Sequence, residues 1–180
     1  APDDAHEGRL QLFVADKPLS QSTAVPWPLA TKGRTDVFAP IPIGTNERGE
    51  LVTLLLAYGA GLVGAIPRMG KTFVLRLIAL AGALDPRCEL HLYDLNGGGV
   101  FDALLPIAHT FGVGCDAAAL DAALADLRRL QADMDRRYAT IRALPRDQAP
   151  ETKTTSELAS KRSLGLWPIV IIVDEAHLWF

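Results

Sequence analysis

The sequence between residues 61 and 84 predicts a strand, a glycine-bearing loop and a helix in this order, and this order constrains the fold more than any other feature. The segment GLVGA (61–65) predicts a short buried strand, and the loop AIPRMGKT (65–72) follows it. The segment TFVLRLIALAGAL (72–84) predicts a helix that ends near Asp85 and Pro86, because a proline disfavours helix at the residue before it. A loop in this setting typically binds phosphate groups.

The loop departs in two places from the phosphate-binding pattern G-x-x-x-x-G-K-[ST]. Ala65 stands at the first glycine position, which serves mainly the turn out of the strand, and Pro67 removes one N–H group from the outer side of the loop. The other end of the pattern, Gly70-Lys71-Thr72, is intact. We predict that the loop binds a nucleotide through Ala65, Pro67, Arg68, Met69, Gly70, Lys71 and Thr72. Taken alone, Gly70-Lys71-Thr72 also fits an ordinary helix N-terminus with an exposed lysine.

A second motif lies far downstream, in PIVIIVDEAH (168–177). Its continuous β-branched run predicts a central parallel strand with Asp174 and Glu175 at its carboxyl end. NTPases use such an acidic pair to hold Mg²⁺ and to polarise the attacking water. We therefore predict that Lys71 contacts the β- and γ-phosphates, that Thr72 and Asp174 hold Mg²⁺, and that Glu175 is the general base. The alternative for the acidic pair is a cap for the next helix.

Asp94 ends another predicted strand, ELHLYDL (89–95), and is followed by Asn96 and three glycines. Open α/β sheets place ligand-facing residues at this position, so Asp94 is a further candidate nucleotide-binding residue. It would sense the γ-phosphate, contact a neighbouring subunit or shape the glycine loop. An ordinary turn-forming aspartate explains it equally well.

A long helix is predicted between Asp116 and Leu144, with its core face formed by apolar residues at steps of three, four and seven. These apolar residues are Leu120, Leu124, Leu127, Met134, Tyr138 and Ile141. The arginines of the helix (128, 129, 136 and 137) are interleaved with aspartates and predict a solvated face rather than a DNA-binding stripe. The four histidines show no metal-ligand spacing and are assigned no role.

The chain predicts an N-terminal strand (9–14) and a Pro-rich adaptor within residues 1–45, followed by one core domain over 46–180. The alternation of strands and helices in the core predicts a mostly parallel sheet flanked by helices. The start without methionine and the end just after the acidic pair lead us to expect a piece of a longer protein. No stretch of about 20 apolar residues predicts a membrane span.

Charge and cysteine content bear on partners and compartment. The net charge of −3 and the pI near 5.8 give no overall basic signature, so nucleic-acid contacts would need a local patch or several assembled subunits. The two cysteines, Cys88 and Cys115, suggest neither a zinc site nor a disulfide framework, and a reducing cytosol is the expected compartment.

Taken together, four blocks resemble the FtsK/SpoIIIE family of motor ATPases, particularly its actinobacterial branch, over roughly residues 40 to 180. The blocks are GLVGAIPRMGKTFVLRLIALAGALDP, ELHLYDLNGGG, the long helix ending in MDRRYATIRALP, and LASKRSLGLWPIVIIVDEAHLWF. The resemblance implies a RecA-like P-loop NTPase fold, truncated after the Walker B strand. Lys71 and Thr72 fall on the Walker A lysine and hydroxyl of the family, and Asp174 and Glu175 fall on its Walker B acidic pair.

The same resemblance implies an activity and partners. It implies ATP and Mg²⁺ as cofactors, a hexameric ring formed by self-association, and ATP hydrolysis between subunits that moves double-stranded DNA in cell division or conjugative transfer. It also implies a location at the cytoplasmic face of the membrane, tethered through segments outside this chain. Because the family carries a second half of the motor, we expect this piece to hydrolyse ATP inefficiently on its own.

Three alternatives stay open. A type VII secretion-like ATPase of the same family would move proteins, and its loops often contain a proline at a similar place. A degenerate ATPase domain would serve as a nucleotide-binding scaffold. The letters DEAH (174–177) also match a helicase box, but the upstream loop expected of that group, G-x-T-G-S-G-K-T, is missing.

Overall fold

The chain is an α/β protein with a parallel sheet flanked by helices, as predicted. The structure is a computed structural model and describes residue 14 and residues 25–31, 33–46, 48–66 and 68–180. Residues 9–13 of the predicted N-terminal strand lie outside the described residues. The strands and helices are β1 (Ile41–Thr45), β2 (Leu51–Leu54), α1 (Lys71–Leu84), β3 (Glu89–Asp94), β4 (Thr110–Val113), α2 (Ala117–Ala143), α3 (Ser156–Ser160) and β5 (Ile169–Asp174).

The parallel sheet has the strand order β4-β3-β5, and β1 and β2 form a separate antiparallel pair. Both strands predicted around the acidic residues are present, but β3 rather than β5 is central among the described strands. Every residue of β3 is buried, whereas Ile171 of β5 is exposed. The register pairs Asp94 with Asp174, so these two residues end neighbouring strands at the same edge of the sheet.

Helix α1 covers one face of the sheet. Leu75 and Ala79 lie four residues apart, and they pack with Leu90, Leu92 and Ile172 in one apolar cluster. The helix ends at Leu84, as predicted. The next residue, Asp85, has extended backbone angles, which suits its position before Pro86.

The predicted strand at 61–65 is wrong. Residues 61–66 have no regular secondary structure, and Leu62 is 94% exposed. Two glycines in five residues weaken a strand, because glycine adds backbone entropy and has no side chain to pack. The loop therefore leads into α1 from an irregular segment.

The long helix α2 is confirmed, but its predicted core face is confirmed only in part: Ile141 is buried as predicted, and Leu120 and Leu127 are partly buried. Leu124, Met134 and Tyr138 are exposed, whereas Ala123 and Leu130 are buried. The buried side of α2 includes polar residues at neighbouring helical positions, and these residues find partners on the sheet. Apolar spacing alone was therefore a poor guide to the orientation of this helix.

A network of polar and ionisable side chains joins α2 to β3. His91 is fully buried, with Nε2 at 3.0 Å from Oε1 of Glu89 and Nδ1 at 2.6 Å from Oδ2 of Asp126. The hydroxyl group of Tyr93 donates to the same oxygen of Asp126 at 2.5 Å. Buried polar groups need such partners, because desolvation without a hydrogen bond is costly. His91, to which the sequence assigned no role, thus links β3 directly to Asp126 of α2.

The arginines of α2 correct the prediction of a purely solvated face. Arg129 donates to Glu89 at 3.0 Å, although its side chain is half exposed. Arg137 is mostly buried, donates to the carbonyl oxygen of Trp167 at 2.5 Å and pairs with Asp133. The hydrogen bonds of these guanidinium groups stabilise the packing of α2 against neighbouring segments.

Glu89 gives the network a measurable pH dependence. Burial alone would raise its pKa, but hydrogen bonds from Trp167, His91 and Arg129 outweigh burial and lower the pKa from 4.5 to about 2. The ionised carboxylate therefore stabilises the fold fully above pH 4.5, and this contribution is lost as the pH falls towards 2. We expect Glu89→Gln to lower the free energy of unfolding at pH 7 by roughly 3 kcal/mol.

Urea unfolding of this variant and the wild type at pH 7, 5, 4 and 3 measures the effect. The difference between the two proteins is expected to shrink below pH 4.5, because the wild-type carboxylate then loses its advantage. The matched control is Glu157→Gln, since the Glu157 side chain is 81% exposed. An equal difference at pH 7 and pH 3 would contradict the assigned role.

Arg87, in the turn after α1, joins three parts of the chain. Its guanidinium group donates to both oxygens of Asp85, at 2.9 and 2.8 Å, and to Asp36 at 2.6 Å. It also donates to the hydroxyl group of Ser156 at 2.9 Å. The backbone N–H of Val37 donates to Asp85 at 3.1 Å. The segment before β1 and the start of α3 are thus held against the end of α1.

The predicted boundary between the N-terminal adaptor (1–45) and the core domain (46–180) falls inside the β1–β2 hairpin, between its two paired strands. Among the described residues, none of the helices combines the length and the apolar character that a membrane span requires.

Candidate functional site

The structure brings Lys71 together with the acidic pair at the end of β5. The ammonium group of Lys71 lies 2.9 Å from Oδ1 of Asp174 and is also bonded to Oε1 of Glu175. Lys71 is the first residue of α1, and the parallel pairing of β5 with β3 carries Asp174 to the carboxyl edge of the sheet. Residues from two distant motifs therefore form one cluster.

The charges in this cluster stabilise one another. The hydrogen bond with Glu175 raises the pKa of Lys71 more than partial burial lowers it, and Asp174 adds to the rise. In return, the hydrogen bond from Lys71 lowers the pKa of Glu175. Both groups are therefore charged at neutral pH. Two carboxyl groups share one ammonium group, so the cluster can accept further positive charge.

Among the residues that the structure describes, no side chain caps the N-terminus of α1. Asp116 accepts a hydrogen bond at the start of α2, and Thr155 does so at the start of α3. Helix α1 begins after Gly70, which has no side chain, and its first turn contains no acidic residue. The first N–H groups of a helix lack intrahelical partners and carry partial positive charge, so this end of α1 favours an anion.

Left-handed backbone conformations occur on both sides of the cluster. Gly70 has a φ angle of +89°, which glycine adopts without strain. Arg68 and Glu175 have φ angles of 67° and 57°, and each costs roughly 1–2 kcal/mol for a residue with a side chain. The strain at Glu175 lies in the sharp turn between β5 and the short 3₁₀ helix Ala176–Trp179. Strain of this kind concentrates at functional sites.

A cavity of about 480 Å³ opens beside the loop. Its lining consists of Ala65, Ile66, Arg68, Met69, Gly70, Lys71, Thr72, Phe73 and Glu175. Every predicted loop residue that the structure describes therefore lines one cavity, and Pro67 lies outside the described residues. Ile66 and Phe73 were not predicted as site residues. Ile66 lies inside the motif and Phe73 directly after it, and these positions could have indicated them. A larger cavity of about 680 Å³, beside Tyr58 and Trp167, contains none of the predicted site residues.

Asp94 is close to the cluster in register but has its own hydrogen-bond partners. Its carboxylate is buried and accepts from the backbone N–H groups of Gly98 at 3.3 Å and Val100 at 3.0 Å. These bonds favour the alternative in which Asp94 shapes the glycine loop. A direct nucleotide contact by Asp94 stays a prediction.

The donor atoms of the site suit Mg²⁺ only in part. Carboxylate and hydroxyl oxygens are ligands that Mg²⁺ prefers, and Asp174 and Thr72 supply one of each. Within the described ranges, no group of three or more His, Cys, Asp or Glu side chains is arranged to hold a metal ion. A Mg²⁺ ion here would take its remaining ligands from phosphate oxygens and water, as this ion commonly does. The ammonium group of Lys71 supplies the positive charge beside Asp174 in this structure.

Comparisons of the chain with models of protein families, with curated proteins and with solved structures found no match. The class of site is therefore defined by its residues. A lysine at an uncapped helix N-terminus meets two carboxylates at the carboxyl edge of a parallel sheet, beside an open cavity. Such an arrangement is suited to an anion that brings its own metal ion.

Proposed function

We propose that the chain is the ATP-binding part of a RecA-like P-loop ATPase of the FtsK/SpoIIIE type, which couples ATP hydrolysis to movement of double-stranded DNA in cell division or conjugative transfer. The observation that carries the nucleotide site is the contact of Lys71 with both Asp174 and Glu175 at the start of α1. The DNA substrate, the hexameric ring and the location at the cytoplasmic face of the membrane are supported by the sequence resemblance.

In this proposal each residue of the cluster has one role. The first N–H groups of α1 and the ammonium group of Lys71 bind the β- and γ-phosphates. Thr72 and Asp174 hold Mg²⁺, which when bound neutralises charge on the phosphate oxygens. Glu175 accepts a proton from the attacking water. The cavity beside the loop, lined by Gly70 and Lys71, provides room for the triphosphate.

The ion pairs of Lys71 must rearrange when the nucleotide binds. In this structure Lys71 lowers the pKa of Glu175, and a carboxylate held in this way is a weaker base. When Lys71 exchanges Glu175 for phosphate oxygens, the carboxylate loses its hydrogen-bond donor and its pKa rises towards the usual range. ATP binding would therefore release the base at the step that needs it.

Replacing Lys71 with alanine tests the nucleotide site. We expect Lys71→Ala to weaken binding of ATP with Mg²⁺ by roughly 10- to 100-fold, because a charge-assisted hydrogen bond contributes about 1.5–3 kcal/mol. Isothermal titration calorimetry measures the dissociation constant, and circular dichroism checks that the variant is folded. The matched control is Lys161→Ala. Lys161 directly follows α3 and forms an ion pair with Glu157, an exposed residue of that helix. Equal affinity of the wild type and Lys71→Ala would overturn the site.

The same substitutions in the full-length protein distinguish the substrates when ATP hydrolysis is measured with and without long duplex DNA, at low and moderate salt. Stimulation by DNA that falls with salt and is lost in Lys71→Ala supports a DNA translocase. Hydrolysis that ignores DNA would favour the motor that moves proteins. ATP binding without hydrolysis would favour the nucleotide-binding scaffold.

A further inference from the structure

Three large apolar side chains stand exposed around the charged loop. Ile66 is 72% exposed, Met69 is 69% exposed and Phe73 is 72% exposed. Each of them lines the 480 Å³ cavity that also contains Gly70 and Lys71. Clustered exposed apolar groups that border polar ones commonly mark a binding surface. One cavity thus combines an anion-binding end with an apolar wall.

Phe73 owes its exposure to its position on α1. The residues that face the sheet, Leu75 and Ala79, are buried, whereas Phe73 lies on the opposite side of the helix. Its ring is therefore not part of the core that holds α1 in place. It is two residues beyond Lys71, in the first turn of the helix, where the N–H groups favour an anion.

We propose that the apolar wall binds the base of the nucleotide whose phosphates the loop holds, with the ring of Phe73 stacked on the base and Met69 and Ile66 beside it. This inference rests on the proposed function, because the phosphates set where the base can reach. A nucleotide joins a polyanion to a flat aromatic group, and the cavity offers a complementary surface to each part. An aromatic side chain accepts any base by stacking, since every base has a π-face.

The experiment compares ATP with inorganic tripolyphosphate, both with Mg²⁺, because only ATP carries a base. We expect Phe73→Ala to weaken ATP binding by about 10-fold and to leave tripolyphosphate binding unchanged. The matched control is Leu80→Ala, because Leu80 is an exposed apolar residue on the same side of α1, two turns further along. In Phe73→Trp, ATP is expected to quench the indole fluorescence, whereas tripolyphosphate is not.

The two ligands separate failure of this inference from failure of the proposed function. If the wild type binds neither ATP nor tripolyphosphate, the nucleotide site and the base contact both fall. If the wild type binds ATP and Phe73→Ala binds it equally well, only the base contact is overturned. Equal loss of both ligands in a folded Phe73→Ala variant also overturns it, because Phe73 would then support the loop instead.

Discussion

Replacing Glu175 with glutamine is expected to slow ATP hydrolysis by roughly 100- to 10,000-fold, the range that a general base contributes. The amide group of glutamine has nearly the same shape as the carboxylate but accepts no proton from the attacking water. Lys71 keeps its contact with Asp174 at 2.9 Å, so the cluster retains an ion pair in the variant. ATP should still bind, and the phosphates should face less competition for Lys71.

Single-turnover hydrolysis, with the protein in excess over labelled ATP, measures the rate even if turnover is slow, and calorimetry measures binding separately. The matched control is Glu157→Gln, which removes an exposed carboxylate far from the loop in sequence. Hydrolysis at the wild-type rate in Glu175→Gln would remove Glu175 from the mechanism. A loss of both binding and hydrolysis would assign it a structural role instead.

Replacing Arg87 with methionine is expected to lower the free energy of unfolding by roughly 3–5 kcal/mol, the cost of breaking a buried ion pair by removing one partner. The side chain of Asp85 is fully buried. Burial opposes its charge, but the hydrogen bonds from Arg87 and from the backbone of Val37 lower its pKa below the usual range. Without the guanidinium group, Asp85 is an uncompensated charge in the interior.

Urea unfolding followed by circular dichroism measures this effect at pH 7. A double variant, Arg87→Met with Asp85→Asn, separates the buried charge from lost packing, because it should recover part of the stability. Arg128→Met is the matched control, since Arg128 is exposed on α2. Unchanged stability of Arg87→Met would show that the segments joined by Arg87 are held by other contacts.

Local patterns predicted the parts of the fold that depend on neighbours in sequence. The end of α1 followed from Pro86, and the strand β5 followed from its β-branched run. The order of Gly70-Lys71-Thr72 before the acidic pair indicated that these residues meet, although the contact itself depends on how β3 and β5 pair. Spacing along the chain identified these residues as site candidates but did not predict their positions relative to one another.

The hydrogen-bond network around His91 was missed because its partners are distant in sequence. Glu89 and Trp167 are 78 residues apart, and His91 and Asp126 are 35 apart. The periodicity of α2 predicts an apolar stripe beside a solvated charged face. The residues next to each charged side chain in sequence do not show which of these side chains form ion pairs with the sheet. The strand at 61–65 was predicted from the apolar residues of this segment, but its two glycines weaken a strand.

The register that pairs Asp94 with Asp174 brings the glycine loop and the start of α1 to the same edge of the sheet. One aspartate anchors the amides of the glycine loop, and the other anchors the lysine at the head of α1. The two residues lie side by side at the ends of hydrogen-bonded strands. The pairing of these strands therefore fixes the positions of both loops at one edge of the sheet. The glycine loop (97–100) and Lys71 are therefore both positioned by the pairing of β3 with β5, and a shift of one strand against the other would displace one relative to the other.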